Sequence, residues 1–324
     1  MKILLWHVHG SWTTAFVQGD HDYLLPVVAG RTELGRGRVR TRDWPASVVE
    51  RPAERLREED VDVVVLQQPH EADLVERWTG RRPGRDVPAV YVEHNTPRGG
   101  PDSPCAQHPM AQRNDVLVVH VTAFNQLFWD TGRAPTAVIE HGVVDPGHRF
   151  TGELAHAATA INDPLRRGRV VGTDLLEPLA ARRPLDVFGL RVDRLTAVPG
   201  LTTYEDLPQH ELHVELARRR VYVHTARWTS LDISLIEAML LGLPVVGVAA
   251  AEAAVSVPPD AGVVTTSRAA LLDATARFVD DRDAARVAGQ AAREHARRRW
   301  GLERFLCEWD DVLARVALSA PAVG

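Results

Sequence analysis

Between Arg227 and Val248 the chain reads RWTSLDISLIEAMLLGLPVVGV, and this stretch limits the possible folds more than any other. Thr229 and Ser230 are side chains that can accept from the free N–H groups of a first helical turn, so they mark a helix start. Leu231, Ile233, Leu235, Ile236, Met239 and Leu240 then recur mostly at helical spacing, and Gly242 and Pro244 stop the helix. Pro244 to Val248 reads as a short parallel strand. Glu237 lies among Leu235, Ile236, Ala238 and Met239, where a carboxylate is costly to bury without a donor. The pattern allows a buried acid with a fixed partner or a solvent-facing glutamate on a half-buried helix.

A strand, a helix and another strand also recur elsewhere. Apolar runs at Lys2 to Val8, Val61 to Gln67, Ala89 to Glu93 and Asp115 to Val121 alternate with helical stretches at Ala53 to Glu59, Glu71 to Trp78 and Ala123 to Thr131, the last capped by Thr122. Asp20 to Pro45 mixes charge, glycine and short apolar pieces, and no element is placed there. A second series follows: Ala157 to Ile161, a helix over Val170 to Ala181, Leu185 to Gly189, Leu195 to Leu201, a helix over Pro208 to Arg219, and Val221 to Thr225. Ala261 to Val264 and helices through Arg268 to Phe278, Asp283 to Arg298 and Leu302 to Val316 complete it. Such alternation predicts doubly wound parallel sheets. The 324 residues, 45% hydrophobic, can bury two cores, with Gly142 and Pro146 marking a hinge between domains at 1–146 and 147–300.

Charge and cysteine content narrow the partners. A net charge of −5 provides no general attraction to nucleic acid or to an anionic membrane. Lys2 is the only lysine among 38 basic residues, which suggests a GC-rich coding genome. Cys105 and Cys307 lack metal or disulfide spacing, and no apolar run approaches the roughly 18 residues of a membrane span. The expectation is a soluble, cytoplasmic protein.

Ligands of open α/β sheets sit off the carboxyl ends of strands, which directs attention to three loops. The first strand runs into His9-Gly10-Ser11-Trp12, where Gly10 lets backbone N–H groups approach a ligand and Trp12 is either core or a stacking ring. GxGxxG is missing, which argues against a nicotinamide or flavin dehydrogenase. His94 ends its strand on the same rim, with Asn95 and Arg98 beyond it. His108, in a proline-rich loop, is expected to be a solvated surface residue. The segment from Asn162 to Arg169, NDPLRRGR, places Arg167 and Arg169 around a glycine before a helix, as an anion site or a solvated basic turn.

Over most of the chain, and most strongly in E-A-M-L-L-G-L-P-V-V at Glu237 to Val246, the sequence resembles the family 4 retaining glycosyltransferases. The resemblance implies a GT-B fold, two Rossmann-like doubly wound domains facing a central cleft, with a last helix over 301–324 crossing back to the first domain. It implies transfer of a sugar from a nucleotide-sugar donor, such as a UDP- or GDP-sugar, to an acceptor without a metal ion or other cofactor. On this match Glu237 grips the ribose, Arg167, Arg169 and the backbone near Ser230 hold the diphosphate, and Gly200 and Leu201 hold the nucleobase. Gly10 and Ser11 face the donor, His94 contacts its sugar and is with Thr229 the expected catalytic residue, and Trp12, Asn95 and Arg98 lie on the acceptor side. Thr229 stands where the family usually has a glutamate, so the donor pocket departs from the common pattern. A GT-B epimerase or hydrolase and a weakly catalytic donor-binding subunit are the alternatives.

Overall fold

The computed structural model describes residues 1–38, 44–98, 106–195 and 198–318, so Cys105, Thr196 and Ala197 lie outside the described residues. The chain divides into two compact units, Met1–Val144 with Leu302–Gly324, and Asp145–Gly301.

In the first unit, strands β1 (Lys2–Leu5), β2 (Asp22–Val27), β3 (Val48–Pro52), β4 (Val63–Leu66), β5 (Ala89–Glu93), β6 (Leu117–His120) and β7 (Thr136–Val138) form a 7-stranded sheet in the order β3-β2-β1-β4-β5-β6-β7. Every pairing is parallel. The central strands β4 and β5 are buried on both faces, as VVVL and AVYVE require in a sheet covered on both sides. Helices α1 (Gly10–Phe16), α2 (Glu71–Thr79) and α3 (Ala123–Phe128) follow β1, β4 and β6. The Thr122 hydroxyl accepts from the Asn125 N–H at 3.1 Å, so the cap read from the sequence forms. Strand β2 lies in the stretch that carried no placed element, because its DYLLPV run is bracketed by charge and glycine instead of by a clear turn signal.

The second unit repeats the plan. Strands β8 (Ala157–Ala160), β9 (Leu185–Gly189), β10 (Leu201–Glu205), β11 (Val221–His224), β12 (Val245–Val248) and β13 (Gly262–Thr265) form a 6-stranded parallel sheet in the order β10-β9-β8-β11-β12-β13. Its helices are α4 (Pro164–Arg167), α5 (Leu176–Ala180), α6 (Gln209–Arg218), α7 (Ile233–Leu241), α8 (Ala253–Ser256), α9 (Arg268–Asp280) and α10 (Arg282–Arg299).

The expected helix over Val170 to Ala181 is broken into short turns before α5. Gly172 has φ +76°, and a Cβ there would run into the Thr225 carbonyl, so the loop after β8 is pressed against the end of β11. No long helix therefore starts beside Arg167.

The last helix, α11 (Leu302–Leu318), belongs to the first unit. Phe305 and Trp309 pack edge-on to Trp12, which stacks on Phe16 at 4.8 Å. Phe305 lies so close over Gly142 that any side chain there would collide with it. Among the described residues no helix is long and apolar enough to cross a membrane.

Candidate functional site

Strand order reverses between β1 and β4 in the first unit and between β8 and β11 in the second, the topological place where open α/β sheets leave room for a ligand. Several of the candidate residues lie at or beside these switch points.

At the first switch point α1 opens with Gly10 and Ser11, His9 at its N-cap, directly after β1. Gln67 is the residue after β4, and His94 the residue after β5. The His9 and His94 rings lie 4.1 Å apart, and the Trp12 ring meets His94 edge-on at 5.1 Å. His94 Nε2 is 3.1 Å from Gln67 Oε1, and Gln67 Nε2 donates to the Trp6 carbonyl at 2.7 Å. Burial, then the neighbouring His9 and His141, hold the His94 pKa well below the usual imidazole range. Burial lowers His9 to about 4, and its Nε2 is enclosed without a partner among the described residues. These imidazoles are therefore neutral near pH 7, a surface suited to hydroxyl groups and not to anions. Glu71, the first residue of α2, accepts from the Gln67 and Gln68 N–H groups at 2.6 and 3.1 Å, while burial raises its pKa to about 8.

Several first-unit expectations change. Trp12 is fully buried between Phe16, Phe305, Trp309 and His94, so of its two readings the structure takes the core one, with no ring face left for an acceptor. His108 is not a solvated residue. Only 2% of it is exposed, and its Nε2 lies 3.1 Å from Glu93 Oε2 beneath the Tyr91 and Trp129 rings. The proline-rich sequence around it masked a buried polar pair. Asn95 and Arg98 are exposed beyond β5; the Asn95 backbone is tied by its N–H to Glu93 Oε1 and by its carbonyl to Trp129 Nε1.

The second switch point is charged. Arg166 and Arg191 bind Asp163, while Arg169 and Arg227 share Asp174, Arg227 through bonds of 2.7 and 3.0 Å. The hydrogen bond from Arg227 is the main cause holding Asp174 below the usual carboxylate range. Arg167, half-buried at the end of α4, enters no ion pair among the described residues. The Arg227 N–H and guanidinium also reach the Val170 and Arg169 carbonyls, tying the loop after β11 to the loop after β8.

Helix α7 begins at Ile233, not at Thr229 or Ser230. Its N-cap is Asp232, whose side chain makes no capping bond and points instead toward Thr229 Oγ1 at 3.5 Å and His224 Nδ1 at 3.8 Å. Thr229 and Ser230 lie in the preceding loop, both nearly buried. The two hydroxyls suggest a cap, but the aspartate nearer the helix occupies that position. Thus a carboxylate stands beside Thr229 even though Thr229 itself carries none.

Glu237 is 4% exposed and does have a fixed donor: Gln209 Nε2 lies 2.7 Å from Oε1, and His213 Nε2 is 3.6 Å from Oε2. Gln209 opens α6 just beyond β10, so the Glu237 carboxylate sits on the carboxyl-end side of the sheet. Gly200 and Leu201 are placed differently from expectation. Strand β10 begins at Leu201, which puts both at its amino end, away from the ligand rim; the backbone leaving β10 is Asp206 to Pro208. The apolar run Leu195 to Leu201 looked like the strand, whereas the real strand, LTTYE, is polar because it lies at the sheet edge.

Gln67, His9, Arg227, Asp174, Gln209, His224 and Asp232 escaped the sequence reading. The signal that would have found Gln67 and His224 is position, since each ends or directly follows an apolar strand run.

No protein-family model matches the chain, and no curated protein matches it in sequence. Solved structures do match. Sucrose-phosphate synthase from Thermosynechococcus elongatus aligns over 99% of this chain and 100% of its own at TM-score 0.73 and 14% identity. HepE from Anabaena, solved in complex with UDP-glucose, aligns over 97% of this chain and 100% of its own at TM-score 0.70 and 15% identity. AviGT4, a glycosyltransferase involved in avilamycin A biosynthesis, aligns over 99% of each at TM-score 0.61 and 16% identity. These likenesses extend across both Rossmann-like units, and the chain has the fold of the GT-B glycosyltransferases.

Proposed function

We propose that the chain is a glycosyltransferase that moves a sugar from a nucleotide-sugar donor to an acceptor with retention of anomeric configuration. The observation that carries this reading is the second switch point, where arginines gather on the loops after β8 and β11 and the helix that follows β11 bears a buried carboxylate. Arginines suit a diphosphate, and a carboxylate suits vicinal hydroxyls such as those of ribose. A carboxylate offers four lone-pair sites, so Glu237 can keep its Gln209 partner while it accepts from a ribose.

In this account Arg167 binds the diphosphate, with Arg169 and Arg227 behind it and the backbone near Ser230 adding N–H donors. Stabilising the departing charge in this way is where electrostatics contributes most to such a reaction. The guanidinium groups take up that charge without a metal ion. The backbone after β10, Asp206 to Pro208, replaces Gly200 and Leu201 as the assigned nucleobase contact. The neutral imidazole of His94, with Gly10 and Ser11, is assigned to sugar hydroxyls, and Asn95 and Arg98 to the acceptor. HepE, solved with UDP-glucose, supports a nucleotide-sugar donor.

Thr229, a hydroxyl where the resembling family has a glutamate, favours a second reading, a donor-binding subunit with weak catalysis. Asp232 weighs against it by supplying a carboxylate at 3.5 Å from the same hydroxyl. Incubation with UDP-, GDP-, TDP- and ADP-sugars and candidate acceptors separates the readings. Release of nucleoside diphosphate that survives chelation, with a product of unchanged anomeric configuration, is the expected result. Binding without turnover would select the second reading, and sugar isomerisation without an acceptor would point to an epimerase.

A further inference from the structure

A relay of hydrogen bonds at the first switch point starts from a backbone carbonyl. The Trp6 carbonyl oxygen can only accept, and the Gln67 side chain approaches it to 2.7 Å. The approaching atom must be the amide nitrogen, which leaves Oε1 as the acceptor 3.1 Å from His94 Nε2. An acceptor facing a ring nitrogen demands a proton on that nitrogen. His94 is thereby held with hydrogen on Nε2, and Nδ1 carries the lone pair.

The relay is stiff. Gln67 is 2% exposed, and its own N–H donates to Glu71 Oε2 at 2.6 Å. Turning the amide over would set its oxygen against the Trp6 carbonyl and lose that bond whichever tautomer the ring adopts. His94 is confined as well, by the His9 ring at 4.1 Å and the edge of Trp12 at 5.1 Å. Its Nδ1 makes no hydrogen bond among the described residues.

We propose that Gln67 is a positioning residue that sets the tautomer of His94, so that Nδ1 offers a lone pair to a ligand hydroxyl. A ring nitrogen in that state accepts from a donor O–H and repels carbonyl, carboxylate and phosphate oxygens, so the first switch point selects a polyhydroxylated, uncharged group. The identity of that group as a sugar rests on the glycosyltransferase reading, whereas the tautomer does not. The groups facing His94 are the imidazoles of His9 and His141 and the indole of Trp12, and the Glu71 carboxylate is turned onto backbone N–H groups.

The test is a long-range proton–nitrogen correlation on the full chain labelled at histidine nitrogens, near pH 7.5, with His94 identified by the signals lost in His94→Gln. The expected wild-type pattern is a protonated Nε2 and an unprotonated Nδ1. Gln67→Leu removes the relay; the His94 signals should move to a mixture of tautomers, and kcat should fall about tenfold with little change in KM for the nucleotide sugar. Gln67→Glu keeps an acceptor opposite Nε2 while its second oxygen, facing the Trp6 carbonyl, has to carry the proton that donates there, so Nε2–H should persist at pH 7.5 beside a neutral carboxyl group. Wild-type His94 protonated on Nδ1, or an unchanged tautomer in Gln67→Leu, would overturn the proposal. If Gln67→Leu fails to fold, the wild-type spectrum and Gln67→Glu still decide it. A wild type that turns over no nucleotide sugar but shows the expected tautomer would remove the functional reading and leave the tautomer assignment standing.

Discussion

The two units share a parallel, doubly wound topology yet build opposite chemistries at the same topological place. The first switch point is made of neutral imidazoles and an amide, His9, His94 and Gln67, and the second of arginines and carboxylates, Arg167, Arg169, Arg227, Asp174 and Glu237. The topology decides where a ligand can sit, and the side chains leaving the strands decide which ligand. An uncharged rim matches hydroxyl groups; a charged one matches a diphosphate and a ribose.

The largest effect expected from breaking this contrast is at Glu237. Glu237→Ala removes charge-assisted hydrogen bonds worth roughly 1.5–3 kcal/mol, so the nucleotide-sugar Kd should rise about 10- to 100-fold in calorimetry. Unchanged affinity would dismiss the ribose role. Next comes Arg167→Ala, which should weaken a nucleoside diphosphate about tenfold while changing the nucleoside little, and the difference should shrink at high salt because exposed charges are screened. Equal losses for both ligands would count against a phosphate clamp.

The smallest effect belongs to the first unit and concerns pH. His120 is fully buried, neither ring nitrogen has a partner among the described residues, and burial, then His108, lowers its pKa to about 4. A histidine with a depressed folded pKa resists protonation only in the folded state. As pH falls from about 6.5 toward 4 the unfolded chain gains a proton that the folded chain refuses, and stability drops. His120→Phe loses no hydrogen bond and should flatten part of this slope in urea titrations at pH 7.5 and 5.0. His9, shifted to the same value for the same reason, leaves the remainder in place. An identical slope in the variant would remove His120 from the account.

The fold was legible because parallel strands buried on both faces leave continuous apolar runs such as VVVL and PVVGV, and because Thr122 and Gly242 carry local chemistry that ends or begins a helix whatever surrounds it. Glu237 was legible for a related reason, a single acid in an apolar helix that had to find a donor. Edge strands were harder. β10 reads as polar and β2 is framed by charge, so neither announces itself by composition. Tertiary pairs were hidden altogether: Gln209 with Glu237, His108 with Glu93 and Gln67 with His94 lie 28, 15 and 27 residues apart, and no local pattern links them. Asp232 shows a subtler failure, since two hydroxyls upstream looked like the helix cap while the aspartate at the true N-cap turned its carboxylate elsewhere.

The central claim, that the charged switch point of the second unit holds a nucleotide sugar, is tested most directly by a thermal-shift titration of the wild type and Glu237→Ala with UDP-, GDP-, TDP- and ADP-sugars. The account predicts that at least one of these raises the wild-type midpoint in a concentration-dependent way and that Glu237→Ala needs about 10- to 100-fold more ligand for the same shift. A wild type that none of the panel stabilises, or a variant that responds equally, would contradict it.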